Sequence, residues 1–550
     1  MFTDKSNVLE LIALLLAHNI KHVVLCPGSR DIPIVQALSQ LSEINCYSVT
    51  DERSAGFFAL GTILAHKEPC AVVVTSGSAL LNLHPCVAEA HYQNLPLLII
   101  SADRPLAWIN QMDGQTINQT FVFNSLVKYE TMANEIKDDT DRWLCNRVCN
   151  EALLKLREKP YAPVHINVPI SDPFFSFNTK ALPKARVIKN LALTDLCKLC
   201  TNFHKIYLIL GQSSIEEPLA SDLKSKLAKR FVVISEHIAN ASFEGFIKNP
   251  EEVFSKVSNK EQKLCPDLVI SIGGHIISKK LKQFLRSQDF VHVNISDDGK
   301  VCDLFCKLAY TVKASYHDAL SALCNIEKAP LKLTAKVFSL ENNLKLKDLP
   351  FSQVTTIGKI INKLNFPCFL HLGNSSTVRY AQNFELPSCV TVHANRGVNG
   401  IEGSLSTAIG VANAQPHLLN FILIGDLSFF YDMNALWNNH LNQNLRIIMF
   451  NNSGGEIFSA LPGLSLDKKA YDYIVAPHST SAVSWAQERG FKTYQVRDND
   501  ALDTILDEFI KNDNCNKFIE VISNRESDIE VLKDLKNNYR LNYLQEAKNA

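Results

Sequence analysis

Two apolar runs that both stop abruptly in small and polar residues constrain this chain more than any other feature. Phe421 to Ile424 reads as a buried parallel strand ending in Gly425-Asp426, and an amphipathic helical segment is expected from about Tyr431 to Leu441. Leu445 to Phe450 reads as a second buried strand, stopping at Asn451-Asn452-Ser453-Gly454-Gly455. Strand, crossover helix and parallel strand put Asp426 and Asn452 at the carboxyl ends of two strands, where open α/β sheets bind ligands. Asp426, Asn452 and a backbone carbonyl near Gly454 form an oxygen-only donor set. Such a set suits a hard divalent cation, Mg²⁺ (or Mn²⁺), bridging protein oxygens to phosphates. Gly425, Gly454 and Gly455 let backbone come close to a diphosphate.

The same alternation runs through the rest of the chain. Helix Asn7 to His18, strand His22 to Cys26, helix Ile32 to Leu41 and strands Asn45 to Val49, Ala71 to Thr75 and Leu97 to Ser101 make a first doubly wound unit. A linker-like stretch from Asp172 to Asn190, with Pro173 and Pro183, closes it. Strands Ile206 to Leu210, Phe231 to Ile234, Leu268 to Ile272 and Phe290 to Ile295 follow, then a lysine-rich, weakly patterned segment from Glu327 to Pro350. Strands Cys368 to Leu372, Val390 to Ala394 and Phe518 to Ile522 complete the third run with the two already named. The expected class is α/β, with three doubly wound, mostly parallel-sheet domains at 1–182, 190–328 and 350–550. The first and third share a gross rhythm.

At 550 residues, with 46% hydrophobic and 20% charged, the composition is that of a soluble protein with sizeable cores. The formal net charge of zero argues against nucleic acid or an anionic membrane as a bulk partner. No stretch approaches the ~18 apolar residues of a membrane span, and the first twenty residues carry acids in a helical pattern rather than a signal peptide. The cytoplasm is expected. The 15 cysteines are odd in number and scattered, several within buried-strand patterns, as reduced core thiols would be. Cys197 and Cys200, like Cys302 and Cys306, lack a partner pair at zinc spacing. A nicotinamide dehydrogenase is set aside because Gly397, Gly400 and Gly403 do not have the dinucleotide-loop spacing.

The Gly-Asp and Asn-Asn strand ends resemble the fingerprint of thiamine-diphosphate (ThDP) enzymes, in which the Asp and second Asn hold a divalent metal on the cofactor's diphosphate. That chemistry also needs a carboxyl group beside the aminopyrimidine ring, where a short hydrogen bond favours the imino tautomer. Glu52, in Thr50-Asp51-Glu52-Arg53-Ser54, stands where a strand gives way to a helix and is the candidate. By itself it also reads as an acid complementing a helix N-terminus. The loops Pro27-Gly28-Ser29-Arg30 and Thr75-Ser76-Gly77-Ser78 lie at the same sheet edge, and each alone reads equally as a helix cap.

Taken together, CPGSR (26–30), DERSAGFFALG (51–61), TSGSALLNLHPCVAEA (75–90), ADRP (102–105), QTINQ (115–119), GNSSTVR (373–379), NRGVNGIEGSLSTAIG (395–410), GDLSFFYDMNAL (425–436) and NNSGGEIFSALP (451–462) resemble one family. It is the ThDP-dependent 2-succinyl-5-enolpyruvyl-6-hydroxy-3-cyclohexene-1-carboxylate synthases of menaquinone biosynthesis. The resemblance spans essentially the whole chain. It implies decarboxylation of 2-oxoglutarate on ThDP and addition of the resulting succinyl-semialdehyde carbanion to isochorismate. It further implies a homodimer or homotetramer with the active site between subunits.

Carried over residue by residue, the resemblance assigns Glu52 to catalysis. It assigns Gly28, Ser76, Gly77, Gly425, Asp426, Leu427, Ser428, Asn452, Gly454, Gly455, Ile457, Phe458 and Leu461 to the cofactor, the metal falling to Asp426, Asn452 and Gly454. Both substrates are dianionic acids, and buried carboxylates need guanidinium or ammonium partners. The matching positions are Ser29, Arg30, Arg104, Gln115, Lys279, Lys280, Ser375, Arg379 and Arg396. The sequence departs from the family pattern at Asp31-Ile32, where small hydroxyl residues are usual, at Asn118 for Asp, at Lys280 for Arg and at Ser453 for Asn. Asp31 beside Arg30 is expected to blunt that arginine's pull on substrate. Two other readings stay open: another ThDP-dependent 2-oxo-acid decarboxylase or carboligase, and a catalytically silent ThDP-fold binding subunit.

Overall fold

The computed structural model describes residues 1–213, 219–257, 261–326, 335–342, 344–455 and 467–541. Contacts divide the chain into two compact units, one of Met1–Leu191 with Gly299–Val312 and one of Ala192–Asp298 with Lys313–Ala550.

In the first unit, β1 (His22–Leu25), β2 (Asn45–Ser48), β3 (Cys70–Val74), β4 (Leu97–Asp103), β5 (Tyr129–Met132) and β6 (Val164–Pro169) form a six-stranded sheet in the order β2-β1-β3-β4-β6-β5. Every pairing in it is parallel. The central strands are buried on both faces, so they read as continuous apolar runs. Alternate residues serve opposite cores: Ala71, Val73, Leu98 and Ile100 pack with the helices Ser6–Ala17 and Asp139–Arg157. Val72, Val74, Leu97 and Ile99 pack with Glu52–His66 and His84–Tyr92. β7 (Lys189–Asn190) pairs in parallel with β12 (Leu308–Lys313). Asp303 Oδ2 anchors the returning segment, accepting from Trp143 Nε1 at 2.8 Å and Arg186 Nη1 at 2.6 Å.

In the second unit, β8 (Ile206–Leu210), β9 (Val232–Ser235), β10 (Leu268–Ile272) and β11 (Val291–Ser296) run parallel in the order β11-β10-β8-β9. β13 (Leu340–Asn342) pairs antiparallel with β20 (Tyr539–Leu541). Between them in sequence lie β14 (Cys368–Leu372), β15 (Val390–His393), β16 (Leu419–Gly425), β17 (Leu445–Asn451), β18 (Lys492–Val496) and β19 (Lys517–Ile522). These form a parallel six-stranded sheet in the order β15-β14-β16-β17-β19-β18. That is the order of the first sheet repeated, the structural content of the shared rhythm.

The structure corrects one expected element and supplies several that the sequence reading lacks. The expected α-helix from Tyr431 to Leu441 does not form: the α-helix here stops at Tyr431 rather than starting there. A six-residue helix, Asp426–Tyr431, starts at the strand end, and a 3₁₀ turn, Met433–Trp437, follows. The asparagine-rich stretch after it spends its side chains on backbone groups: Asn438 Oδ1 accepts from His440 N at 2.7 Å, and Asn444 Nδ2 donates to Leu418 O at 2.9 Å. Such bonds compete with helix formation. β5, β6, β12, β18 and the helix Asp139–Arg157 were not expected. β6 buries all six of its residues, yet His165 and Asn167 interrupt its apolar pattern. Among the described residues no helix is long and apolar enough to cross a membrane.

Candidate active site

Gly425 pairs with Phe450 across β16 and β17, so Asp426 and Asn452 emerge just beyond the ladder. Asp426 opens a helix and its carboxylate is buried among donors. Oδ1 accepts from Leu427 N at 2.7 Å, Oδ2 accepts from Gly454 N at 3.0 Å, and His478 Nε2 lies 3.2 Å from Oδ2. Burial pushes the Asp426 carboxyl up, and the Gly454 and Leu427 amides oppose that shift. A cavity of about 140 Å³ opens here, lined by Gly425 to Ser428, Asn452, Gly454, Gly455, Asn374 to Thr377, Gln353, Ile401 and Phe450. Gly454 has φ +141, and a methyl group on it would meet Val475 O at 2.8 Å, so only glycine suits the turn. At Gly425 the space a side chain would fill is open.

Asn452 is oriented from behind by the Asp528 carboxyl, to which its side chain is hydrogen-bonded. An acid partner selects the amide nitrogen as the donor toward it. Asp528 also accepts from Gln353 N at 2.7 Å and Ser523 Oγ at 2.6 Å. A carboxylate offers about four acceptor positions, so Asp426 keeps room for a cation beside its present donors. Among the described residues no group of three or more His, Cys, Asp or Glu side chains could hold a metal. Asp426 with amide and carbonyl oxygens offers a donor chemistry that would suit Mg²⁺.

One wall of the cavity is held by guanidinium groups. Arg379 Nη1 donates to Ser375 O, and Arg396 Nη1 donates to Asn374 Oδ1 at 2.8 Å. Arg396 is buried, and its Nε lacks a hydrogen-bond partner. Burial first, then the charge of Arg379, lowers its proton affinity. A buried cation and a partly buried one that repel each other beside a cavity call for an anion. Lys279 and Lys280 are exposed at the start of their helix, and the Lys280 amide donates to Glu251 Oε2 at 3.0 Å. Lys282, which the sequence reading passed over, is the lysine of this run whose charge reaches Arg396 and Arg379. Burial lowers it most, Glu236 opposes, and the arginines lower it further.

In the first unit, Glu52 is the first residue of its helix, after Asp51, which caps it by accepting from Ser54 N at 2.8 Å. Glu52 Oε2 accepts from Asn82 Nδ2 at 3.2 Å. The loops at Gly28 and Ser76-Gly77 flank it at the ends of β1 and β3. Gly77 has φ +84, and a methyl group there would meet Gln115 O at 3.1 Å. Its amide donates to Gln119 Oε1 at 2.9 Å. Gln119, not the exposed Gln115, carries the loop: its Nε2 donates to Asn167 Oδ1 at 2.7 Å, and Asn167 donates on to Asp103 Oδ2 at 2.7 Å. Ser29 follows Gly28 in the first loop. Arg30 donates to Ile170 O at 2.9 Å and Asp172 Oδ1 at 3.3 Å and stacks on Phe174 at 4.4 Å. Its ion pair is with Asp172 rather than with its neighbour Asp31. Arg104 Nε reaches Gly114 O at 2.9 Å and Asp113 Oδ2 at 3.0 Å. In the second unit, Ser428 Oγ donates to Ile401 O. Ile457, Phe458 and Leu461 lie outside the described residues.

Residues 7–122 match the family model for the N-terminal TPP binding domain of thiamine pyrophosphate enzymes, and residues 373–521 match that for the C-terminal TPP binding domain. A 2-succinyl-5-enolpyruvyl-6-hydroxy-3-cyclohexene-1-carboxylate synthase of Bacteroides fragilis is 46% identical, over 97% of this chain and 99% of its own length. The chain belongs to this synthase family. Synthases of Phocaeicola vulgatus (44%, over 97% of this chain and 98% of the relative) and Christiangramia forsetii (32%, over 95% and 97%) are similar over the same extent. Membership in the synthase family makes the protein a ThDP-dependent enzyme, with Glu52 inside the first domain match and Asp426 and Asn452 inside the second.

His478, Asp528, Gln119 and Lys282 are the site-forming residues absent from the sequence reading. Only Gln119 sat in a quoted motif. His478 and Asp528 act from a loop and a helix remote in sequence that no local pattern marks, and Lys282 lies two residues beyond Lys280 on the same helix.

Proposed function

We propose that the protein decarboxylates 2-oxoglutarate and adds the resulting four-carbon unit to isochorismate, giving 2-succinyl-5-enolpyruvyl-6-hydroxy-3-cyclohexene-1-carboxylate and CO₂ in menaquinone biosynthesis. The observation that carries this reading is the pair of guanidiniums, the partly buried Arg379 and the buried Arg396, on the Asn374-Ser375 wall of the Asp426 cavity. An enzyme of pyruvate, with one carboxylate, has less use for them than one whose substrates are dianions.

Asp426, the Asn452 amide oxygen and the Gly454 carbonyl would hold Mg²⁺ or Mn²⁺, which would supply charge for binding the cofactor's diphosphate. Gly425, Leu427, Ser428 and Gly455 supply backbone and hydroxyl contacts, with Ile457, Phe458 and Leu461 as the apolar wall. ThDP, when bound, supplies the electron sink for decarboxylation. Glu52 holds and returns a proton at the aminopyrimidine ring, and Gly28, Ser76 and Gly77 shape that ring's pocket. Ser29, Arg30, Arg104, Gln115, Lys279, Lys280, Ser375, Arg379 and Arg396 bind the substrates, with Lys282 reinforcing the cationic field.

Exposed apolar side chains along the helix that Glu52 opens, Phe57, Phe58 and Leu64, and at Leu81 support an assembly of two or four copies with the site between subunits. The three parallel strand sets support a division into a pyrimidine domain (1–182), a central domain (190–328) and a diphosphate and metal domain (350–550), in a cytoplasmic enzyme with no nucleic-acid or membrane partner. Incubating the purified protein with 2-oxoglutarate and isochorismate, with and without ThDP and Mg²⁺, tests the proposal. Product formation that requires all four supports it, and turnover of pyruvate in preference to 2-oxoglutarate overturns it.

A further inference from the structure

The ends of β16 and β17 meet at the Asp426 cavity, and a third segment, later in the chain, is laced to both. The helix Lys468–Val475 stops there, and Ala476 leaves it at φ +50. Val475 O accepts from Gly455 N at 2.7 Å, His478 N donates to Ser453 O at 3.3 Å, and Asn451 Nδ2 donates to Thr480 O at 3.0 Å. Residues 475–480 are therefore fixed to the turn that carries Asn452 and Gly454.

The His478 ring crosses from this turn to the other strand end. Its Nε2 lies 3.2 Å from Asp426 Oδ2, and the ring packs edge-on against Phe430, on the helix that Asp426 opens, with centroids 5.3 Å apart. Nδ1 accepts from Thr480 N at 3.1 Å. That bond uses the Nδ1 lone pair, so the neutral ring carries its proton on Nε2, the nitrogen beside Asp426. Nε2 is buried, its alignment on Oδ2 falls short of a well-formed hydrogen bond, and among the described residues it has no other partner. A buried donor left unused costs stability, and the acceptor within reach is a carboxylate oxygen.

The donors to Asp426 are unevenly shared. Oδ1 accepts from Leu427 N at 2.7 Å, whereas Oδ2 accepts from Gly454 N at 3.0 Å and faces His478 as well. With about two acceptor positions on each oxygen, His478 completes Oδ2 and leaves a position on Oδ1. Carboxylates that ligate metals are themselves held by hydrogen bonds, and those outer partners set affinity.

We propose that His478 is a positioning residue for the divalent cation: it bridges the ends of β16 and β17, engages Asp426 Oδ2 through Nε2–H, and holds the carboxylate in register with Asn452 and Gly454 so that Oδ1 is presented to the metal. This role rests on the reading of Asp426, Asn452 and Gly454 as the cation's donor set.

Its test reads metal binding rather than turnover. His478→Asn keeps an acceptor near the place of Nδ1 for the Thr480 amide but is too short to reach Asp426, whereas His478→Gln extends an amide N–H toward the place of Nε2. Mn²⁺ is titrated into the full chain with ThDP present, and free Mn²⁺ is followed by its electron paramagnetic resonance signal. His478→Asn should bind Mn²⁺ roughly ten- to a hundredfold more weakly than wild type, and His478→Gln should recover most of that loss. Unfolding temperatures give a second readout: the rise that Mn²⁺ and ThDP produce together should be smaller in His478→Asn than in wild type or His478→Gln.

Wild-type affinity in His478→Asn overturns the proposal. So does a His478→Gln that binds no better than His478→Asn, which would reduce the ring to a packing group. Asp426→Ala separates these failures from a failure of the premise. If Asp426→Ala weakens Mn²⁺ binding while His478→Asn does not, the donor set stands and His478 has no positioning role. If Asp426→Ala also binds Mn²⁺ as wild type does, the donor-set reading fails, and the proposal falls with it.

Discussion

The Gly454 amide donates to Asp426 Oδ2 at 3.0 Å, tying together two strand ends that lie 28 residues apart. The bond orients a buried carboxylate toward a cavity that backbone and amide groups otherwise line. Asp426→Ala should therefore lose metal-assisted ThDP retention, about ten- to a hundredfold in affinity if one charged interaction of ~1.5–3 kcal/mol is removed. Equilibrium dialysis with and without Mg²⁺ measures it. Unchanged affinity would defeat the metal assignment.

Glu52→Gln keeps the size of the side chain and an acceptor for Asn82 but removes the acid. ThDP should still bind while deprotonation at its C2 slows severely. Exchange of the C2 hydrogen at the wild-type rate would reduce Glu52 to a helix-end acid.

Arg379 separates dicarboxylate from monocarboxylate substrates. Arg379→Ala should lower kcat/KM for 2-oxoglutarate by roughly ten- to a hundredfold, at ~1.5–3 kcal/mol for a charged hydrogen bond, and leave any use of pyruvate little changed. Equal losses on both substrates would assign Arg379 to holding the Ser375 loop instead.

Gln119 and Gln115 share one motif and make opposite predictions. Gln119→Ala leaves the Gly77 amide without its side-chain acceptor and removes one of the two donors to Asn167 Oδ1, and should cost about 1–3 kcal/mol of stability, whereas Gln115→Ala, at an exposed side chain, should stay within about 0.5 kcal/mol. Thermal unfolding of the two variants checks the contrast.

His371 is fully buried, bonds Asn420 Oδ1 through Nε2 at 3.0 Å, and is lowered to about 4, by burial first. A histidine depressed in the folded state contributes stability above its unfolded value near 6.5 and loses it as pH falls toward 4. The stability of wild type relative to His371→Gln should accordingly fall by about 3 kcal/mol between about pH 7.5 and 4. Unfolding temperatures of both proteins across that range give the comparison, and a constant gap would show that His371 does not titrate in the fold.

Much of the fold was legible because strands buried on both faces must be apolar throughout. β3, β4, β8, β10, β14, β16 and β17 announce themselves in that way, and their ends in Gly, Asp, Asn and Ser mark where ligands approach. β6 escaped because His165 and Asn167 belong to a buried polar network whose partners, Ser101 and Gln119, lie far away in sequence. β18 escaped as an edge strand with a polar face. The crossover after Asp426 was misread because apolar periodicity cannot register asparagines that bond backbone carbonyls from other elements.

What the sequence determined alone is the chemistry of local motifs: strand ends, glycine turns, and the identities of Glu52, Asp426, Asn452, Arg379 and Arg396. What only tertiary structure decided is which side chains face each other. Asp528 behind Asn452, His478 beside Asp426, Gln119 under Gly77, Lys282 rather than its exposed neighbours, and Arg30 drawn to Asp172 while Asp31 stays unpaired all depend on long-range packing. Hydrogen bonds and charge act through a few ångströms of space, and no spacing along the chain encodes those distances when the partners come from separate strands and helices.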